Sequence, residues 1–155
     1  MNNAMERLDA DTECDLARQL EAGVYAQYLL DQGSGRLGLG QIVRQGAQAR
    51  ERLWLANTGL VAMLARRYGR RDPDIEADLV QEGQLALADC LMRYDWRRGW
   101  RLSTMAWHWI KHRMVKVMTA RSHWEHRTTP ARDQLAEHVA VSVPDADPDL
   151  GALLS

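Results

Sequence analysis

Apolar side chains recur three and four residues apart in four stretches of this 155-residue chain, a spacing that lines them along one side of a helix. Leu16, Leu20 and Val24 set a first helix over about 12–30, with Thr12 and Asp15 as a capping-box pair. Leu53, Leu60, Leu64 and Tyr68 set a second over about 41–68. Leu79, Val80, Leu87, Leu91 and Tyr94 set a third over about 75–94. The fourth runs from Ser103, a candidate N-cap, to about Arg121, with Trp109, Ile110, Met114, Val117 and Met118 as its apolar stripe. Val139, Val141 and Val143 alternate, but a lone strand is marginal in water. The expectation is an all-α fold of about four helices with no internal repeat.

Punctuation between these stretches sets the domain plan. Gly33, Gly35, Gly38 and Gly40 make a flexible connector. GRRDPD (69–74) closes the second helix, because Pro73 cannot continue a helix interior. The short link DWRRGWRL (95–102) turns at Gly99. From Thr128, three prolines and an acidic end describe a flexible acidic tail. The plan is therefore an acidic helix and connector over 1–40, a helical domain over 41–127 and a tail over 128–155. A chain of this length buries roughly 70% of its unfolded surface and needs no disulfide or metal to fold. Cys14 and Cys90 fit a reducing compartment. The longest uncharged apolar run, Leu53 to Ala65, has 13 residues, short of the ~20 that span a bilayer. Glu6, Asp9, Asp11, Glu13 and Asp15 are the wrong chemistry for a secretory signal. A cytoplasmic location without membrane contact is expected.

The net charge of −1 conceals a strong gradient. Residues 1–35 carry net −5, 36–92 net +1, 93–127 net +7 and 128–155 net −4. Five of the six tryptophans (Trp96, Trp100, Trp107, Trp109 and Trp124) lie in the basic segment. Arginine interleaved with tryptophan suits a single-stranded nucleic acid, since phosphates need cations and unstacked bases need flat apolar partners. A tryptophan-anchored core with solvated arginines fits the same composition, and composition does not decide between them. On the fourth helix His108, Lys111, His112, Val115, Lys116 and Thr119 recur on the side opposite the apolar stripe, where they could lie along a strand backbone or simply face water. The acidic ends suggest a shield that keeps the basic face from non-specific DNA.

Other chemistries find little support. His108 and His112 have the i, i+4 spacing of two metal ligands, but HWIKH lacks a catalytic glutamate and the sequence fixes no third ligand. The Gly33–Gly40 stretch lacks the Lys-Ser/Thr ending of a phosphate loop, and no nucleophile motif appears. Neither catalysis, a cofactor nor a metal is expected.

Three ordered motifs name a family: ARERLWLANTGLVAMLARRYGRR (49–71), ADLVQEGQLAL (77–87) and RYDWRRGWRLSTMAWHWIKHRM (93–114), preceded by LDADTECDLARQLEAG (8–23). Together they resemble the sigma-70 family of bacterial transcription initiation factors over roughly residues 8–127, with one extra residue near Pro73. The resemblance implies a compact, all-α region 2 domain preceded by region 1.2, with core RNA polymerase and promoter DNA as partners. The family's DLIQEG-type segment docks on the clamp helices of the polymerase's largest subunit, which carries over onto Asp78, Leu79, Val80, Gln81, Glu82, Gly83 and Gln84. Its next segment melts the −10 promoter element and holds the non-template strand. That carries over onto Trp100, Leu102, Thr104, Met105, His108 and Trp109, and the adjoining Trp96, Arg97, Arg98 and Arg101 are expected to contact the DNA with them. Lys111 and Lys116 fall where the family places backbone contacts, and His112 and Val115 where it reads the duplex edge.

Departures accompany the resemblance. Leu102 and Met105 stand where family members usually carry aromatics, and only Trp109 survives of a tryptophan pair at 108–109. His112 and Val115 replace a glutamine and a threonine, which implies an altered promoter preference. Regions 3 and 4 are expected to be absent. Three roles fit: a minimal factor, one half of a split factor whose partner supplies −35 recognition, or a competitor that occupies the polymerase without initiating. An anti-sigma protein is a further conceivable partner.

Overall fold

The computed structural model describes residues 8–128, and among them every regular element is helical. Four α-helices follow one another: α1 (Ala10–Asp31), α2 (Leu39–Gly69), α3 (Pro73–Arg93) and α4 (Leu102–Thr128). A 3-10 turn, Trp96–Arg98, stands between α3 and α4. No helix among the described residues is long and apolar enough to cross a membrane. The expected tail, beyond its first residue Thr128 at the end of α4, lies outside the described residues. The described residues fall in two compact units that divide inside α4, one ending at Met114 and the other beginning at Val115.

Helix ends follow local chemistry with two corrections. The N-cap of α1 is Asp9, not Thr12: its carboxylate accepts the Thr12 N–H at 2.7 Å. That hydrogen bond holds the Asp9 carboxyl below its ordinary range. Gly33 and Gly38 take positive φ in the connector, while Gly40 is already inside α2, so the connector is shorter than the glycine run. Pro73 occupies the first turn of α3, where its missing N–H costs nothing, and Asp72 caps it by accepting from Asp74 and Ile75. The second correction is at α4, which starts at Leu102 and therefore contains Ser103.

Close packing explains three glycines that turn chemistry does not. A Cβ on Gly23 would stand 2.7 Å from the Gly46 Cα, so α1 and α2 cross with backbone against backbone. Along that crossing Leu16, Ala17 and Ala26 of α1 are buried, while Val24, expected in the stripe, is half exposed. Gly83 of α3 lies under both neighbours: a Cβ there would meet Val61 Cγ1 of α2 at 2.7 Å and Met114 Cε of α4 at 2.6 Å. Leu53, Val61, Leu64, Leu79, Leu87, Cys90, Leu102, Ile110 and Met114 are wholly buried, each large aliphatic contributing about 1.5–3 kcal/mol relative to exposure. Burial pushes the Cys90 thiol up to about 12, so it is a neutral core group. In the second unit the helix continues from Val115, with the Thr119 hydroxyl bonded back to the Val115 carbonyl.

Substituting Gly83→Ala is expected to destabilise the protein by about 1–3 kcal/mol, because the Val61 branch cannot rotate away as Met114 can. Chemical denaturation followed by circular dichroism measures it.

Candidate nucleic-acid and polymerase interface

The link between α3 and α4 is tied down by a carboxylate from α1. Glu13 is only 3% exposed. It accepts the Leu102 N–H at 2.6 Å, the Tyr94 hydroxyl at 3.1 Å and Arg101 Nε at 3.4 Å. Arg101 also donates to the Leu8 carbonyl at 2.7 Å. The Trp100 carbonyl lies 2.8 Å from the same Tyr94 hydroxyl and shares its one proton with Glu13, and burial with the neighbouring Glu13 charge pushes the phenol well above the ordinary range. The first N–H of α4 is thus capped by an anion from a distant helix, at the end where the helix dipole is positive. Arg101, expected on the nucleic-acid side, turns inward.

Next to this anchor the turn presents its aromatic and basic groups. Asp95 accepts from the Arg97 N–H and caps the 3-10 turn, and Gly99 closes it at φ 72°. Trp100 projects outward, 66% exposed. Trp96 is half-buried, with the guanidinium carbons of Arg18 and Arg97 at 4.4 and 4.6 Å from its ring centre. Glu21 of α1 binds both Arg97 (2.8 Å) and the Trp96 N–H (3.2 Å). Arg98 pairs with Asp95 at 3.5 Å.

On α4 the residues divide by depth. Leu102, Ala106, Ile110 and Met114 are buried every fourth residue, so Leu102 is a packing residue and offers nothing to a base. Thr104, Met105 and Trp109 are half-buried, and His108 and His112 are exposed. Arg93 lies over the Trp109 ring at 5.3 Å, and Lys111 over Trp107 at 4.9 Å. Val115 and Lys116 belong to the second unit, half-buried and exposed respectively.

The α3 segment divides in the same way. Leu79 is fully buried and Val80 half-buried, while Asp78, Gln81 and Gln84 are exposed. Glu82 is half-buried because it binds Arg113 of α4 at 2.8 Å. An outward face therefore runs through Asp78, Gln81, Gln84 and Leu85, with Leu79 and Glu82 turned inward.

Sequence reasoning missed Glu13, Arg18 and Glu21. Glu13 left a readable signal: it stands three residues before Leu16 and seven before Leu20, in phase with an apolar stripe. Arg18 and Glu21 left none, since exposed charges on an acidic helix are ordinary.

Residues 53–124 match the family model described as sigma-70 region 2. Proteins named RNA polymerase principal sigma factor HrdD are similar over more of the chain. The one from Streptomyces griseus is 34% identical over 122 residues, covering 74% of this chain and 36% of the relative. That from Streptomyces viridifaciens is likewise 34% identical with the same coverage, and that from Streptomyces coelicolor is 31% identical, again covering 74% and 36%. Over residues 53–124 the chain belongs to the sigma-70 family. It spans about a third of the length of the relatives it matches. The sigma-70 region 2 match takes in most of α2, all of α3, the link and α4 to Trp124, while α1 precedes it. Glu13 therefore pins region 2 from outside the matched segment.

Replacing Glu13 by alanine strands the Leu102 N–H, the Tyr94 hydroxyl and a half-buried guanidinium, and is expected to cost about 3 kcal/mol. A thermal melt of the variant checks it. Glu13→Gln should recover part of the loss, because an amide oxygen still accepts the Leu102 N–H.

Proposed function

We propose that this chain acts as a sigma-70-type transcription initiation factor. It docks on core RNA polymerase through the exposed face of α3 and holds the non-template strand of a −10-like element with the link and the start of α4. The observation that carries the reading is the coincidence of the region 2 match with a link built to present Trp100. Its carbonyl accepts from Tyr94 while its ring stays exposed. A flipped base loses stacking worth a few kcal/mol, and an aromatic face returns about 1–3 kcal/mol of it. Thr104, Met105 and His108 follow on the first turns of α4, where the Thr104 hydroxyl and the exposed His108 imidazole can hydrogen-bond a strand and Met105 can touch a base. Lys111 and His112 extend the same reading, and Val115 and Lys116 are DNA contacts offered separately by the second unit.

On α3, Asp78, Gln81 and Gln84 offer polar groups to a basic partner surface, with Leu85, 52% exposed, as an apolar contact among them. Leu79 and Glu82 support this face from behind.

One observation favours a non-initiating binder or half of a split factor. The rings of Trp96, Trp107 and Trp109 each carry a cation, which leaves Trp100 as the bare ring in the segment 96–109. Fewer free faces mean less energy returned to an unpaired strand.

Two substitutions test the two surfaces separately. Gln81→Arg, an exposed change, should abolish pull-down of core polymerase at unchanged thermal stability; retained binding places docking elsewhere. Trp100→Ala should lower permanganate reactivity of promoter thymines about tenfold while core binding persists. Core binding by the unaltered protein with no reactive thymine on any promoter fragment establishes the non-initiating role instead.

A further inference from the structure

Three carboxylates pair with three arginines, two of which lie over the Trp96 ring: Asp15 with Arg18, Glu21 with Arg97, and Asp95 with Arg97 and Arg98. The corner that a polyanion would approach is electrically balanced, although the segment 93–127 carries net +7. Glu21 differs from the other two carboxylates in what holds it. Arg97 Nη2 reaches both of its oxygens at 2.8 Å, and the Trp96 indole N–H reaches one of them at 3.2 Å. Cationic and neutral donors converging on one oxyanion are equally the donor set of a phosphate.

We propose that Arg97 and the Trp96 N–H form a backbone phosphate subsite for single-stranded nucleic acid, with Arg18 as its second cation, and that the Glu21 carboxylate occupies this subsite until a strand phosphate displaces it. The proposal rests on the reading that the link engages DNA, and adds to it a subsite and a competitor for it.

Exposure makes the exchange feasible. The side chains of Arg97 and Glu21 are 56% and 52% exposed, so their attraction is screened by solvent and salt. Arg97 holds the Glu21 carboxyl below its usual range, so it is ionised, and competing, at neutral pH. The place is also open: Arg18, Glu21, Tyr25, Tyr28, Trp96 and Arg97 line one groove. Tyr25 and Tyr28 stack at 6.3 Å between ring centres and are both more than half exposed, which gives the adjoining base a flat apolar neighbour. Displacement of Glu21 releases its carboxylate to water and counterions from the strand to bulk, which drives the exchange at low salt.

The test is binding of the full chain to a short fluorescein-labelled oligothymidine, by anisotropy across a potassium chloride series. Glu21→Gln should bind about three- to tenfold more tightly at low salt, with the slope of log affinity against log salt steeper by about 0.7, one further phosphate contact. Asp31→Asn, the same charge change further along α1, should move neither. Glu21→Gln combined with Arg97→Ala should lose both gains, and circular dichroism melts confirm that the variants fold. An unchanged Glu21→Gln beside a weakened Arg97→Ala overturns the competition but leaves the DNA reading standing. Equal gains from Glu21→Gln and Asp31→Asn overturn it as well, by assigning the effect to net charge. Unaltered binding by both Arg97→Ala and Trp100→Ala removes the DNA reading itself.

Discussion

Glu13 is a carboxylate with almost no solvent around it, and its hydrogen bonds join α1 to both ends of the link between α3 and α4, some eighty residues further along the chain. A buried anion without partners costs several kcal/mol, so α1, the end of α3 and the start of α4 are stable only when assembled together. The segment from Tyr94 to Leu102 is pinned at both ends by that one group, and Tyr94 holds it once more at the Trp100 carbonyl. A short link fixed at three points has little conformational freedom left to lose on binding, which is the condition for presenting an aromatic ring in one orientation.

The glycines show the same economy in the packing. Gly83 belongs to the QEG motif, where the neighbouring polar residues attract attention as a binding surface. Its own role is volumetric: α2 and α4 press onto α3 at the one position without a side chain, under Val61 and Met114. That contact brings Arg113 within reach of Glu82, so a helix–helix approach and an ion pair support each other. The outward face of α3 is thereby held on a rigid element, as the docking role proposed for it requires.

The four helices were legible because their apolar periodicity is strong, and their ends were found within a few residues for all but α4, which runs on from about Arg121 to Thr128. The two misplaced caps have different causes. Asp9 and Thr12 are both competent cap residues one turn apart, and the sequence does not say which backbone N–H is left over. At α4 the local rule failed outright: Ser103 is a good cap, but the cap comes from Glu13, and an acceptor supplied by tertiary structure has no local signature. The same limit governs the site. Arginine and tryptophan identities were plain, whereas which guanidinium faces inward, as Arg101 does, and which ring is covered, as Trp96 is, depends on partners in α1. Leu102 illustrates the converse error, since a residue in register with a family's base-contacting position is here the first member of the buried Leu102–Ala106–Ile110–Met114 stripe.

The acidic character of the first helix takes on a structural meaning from these contacts. Glu13 and Glu21 stand a little over two turns apart on α1, about 80° from each other around its axis, and both reach the link. One is buried and builds; the other is exposed and neutralises. A helix that carried only the first would hold the link in shape but leave Arg97 free for any polyanion. One that carried only the second would cover a cation on a link without fixed geometry. Having both on one helix couples shape and electrostatics, so any movement that lifts α1 from the link both loosens the fold there and exposes positive charge. The charge gradient along the chain is therefore also a set of contacts in space, with the negative segment folded against a corner of the positive one.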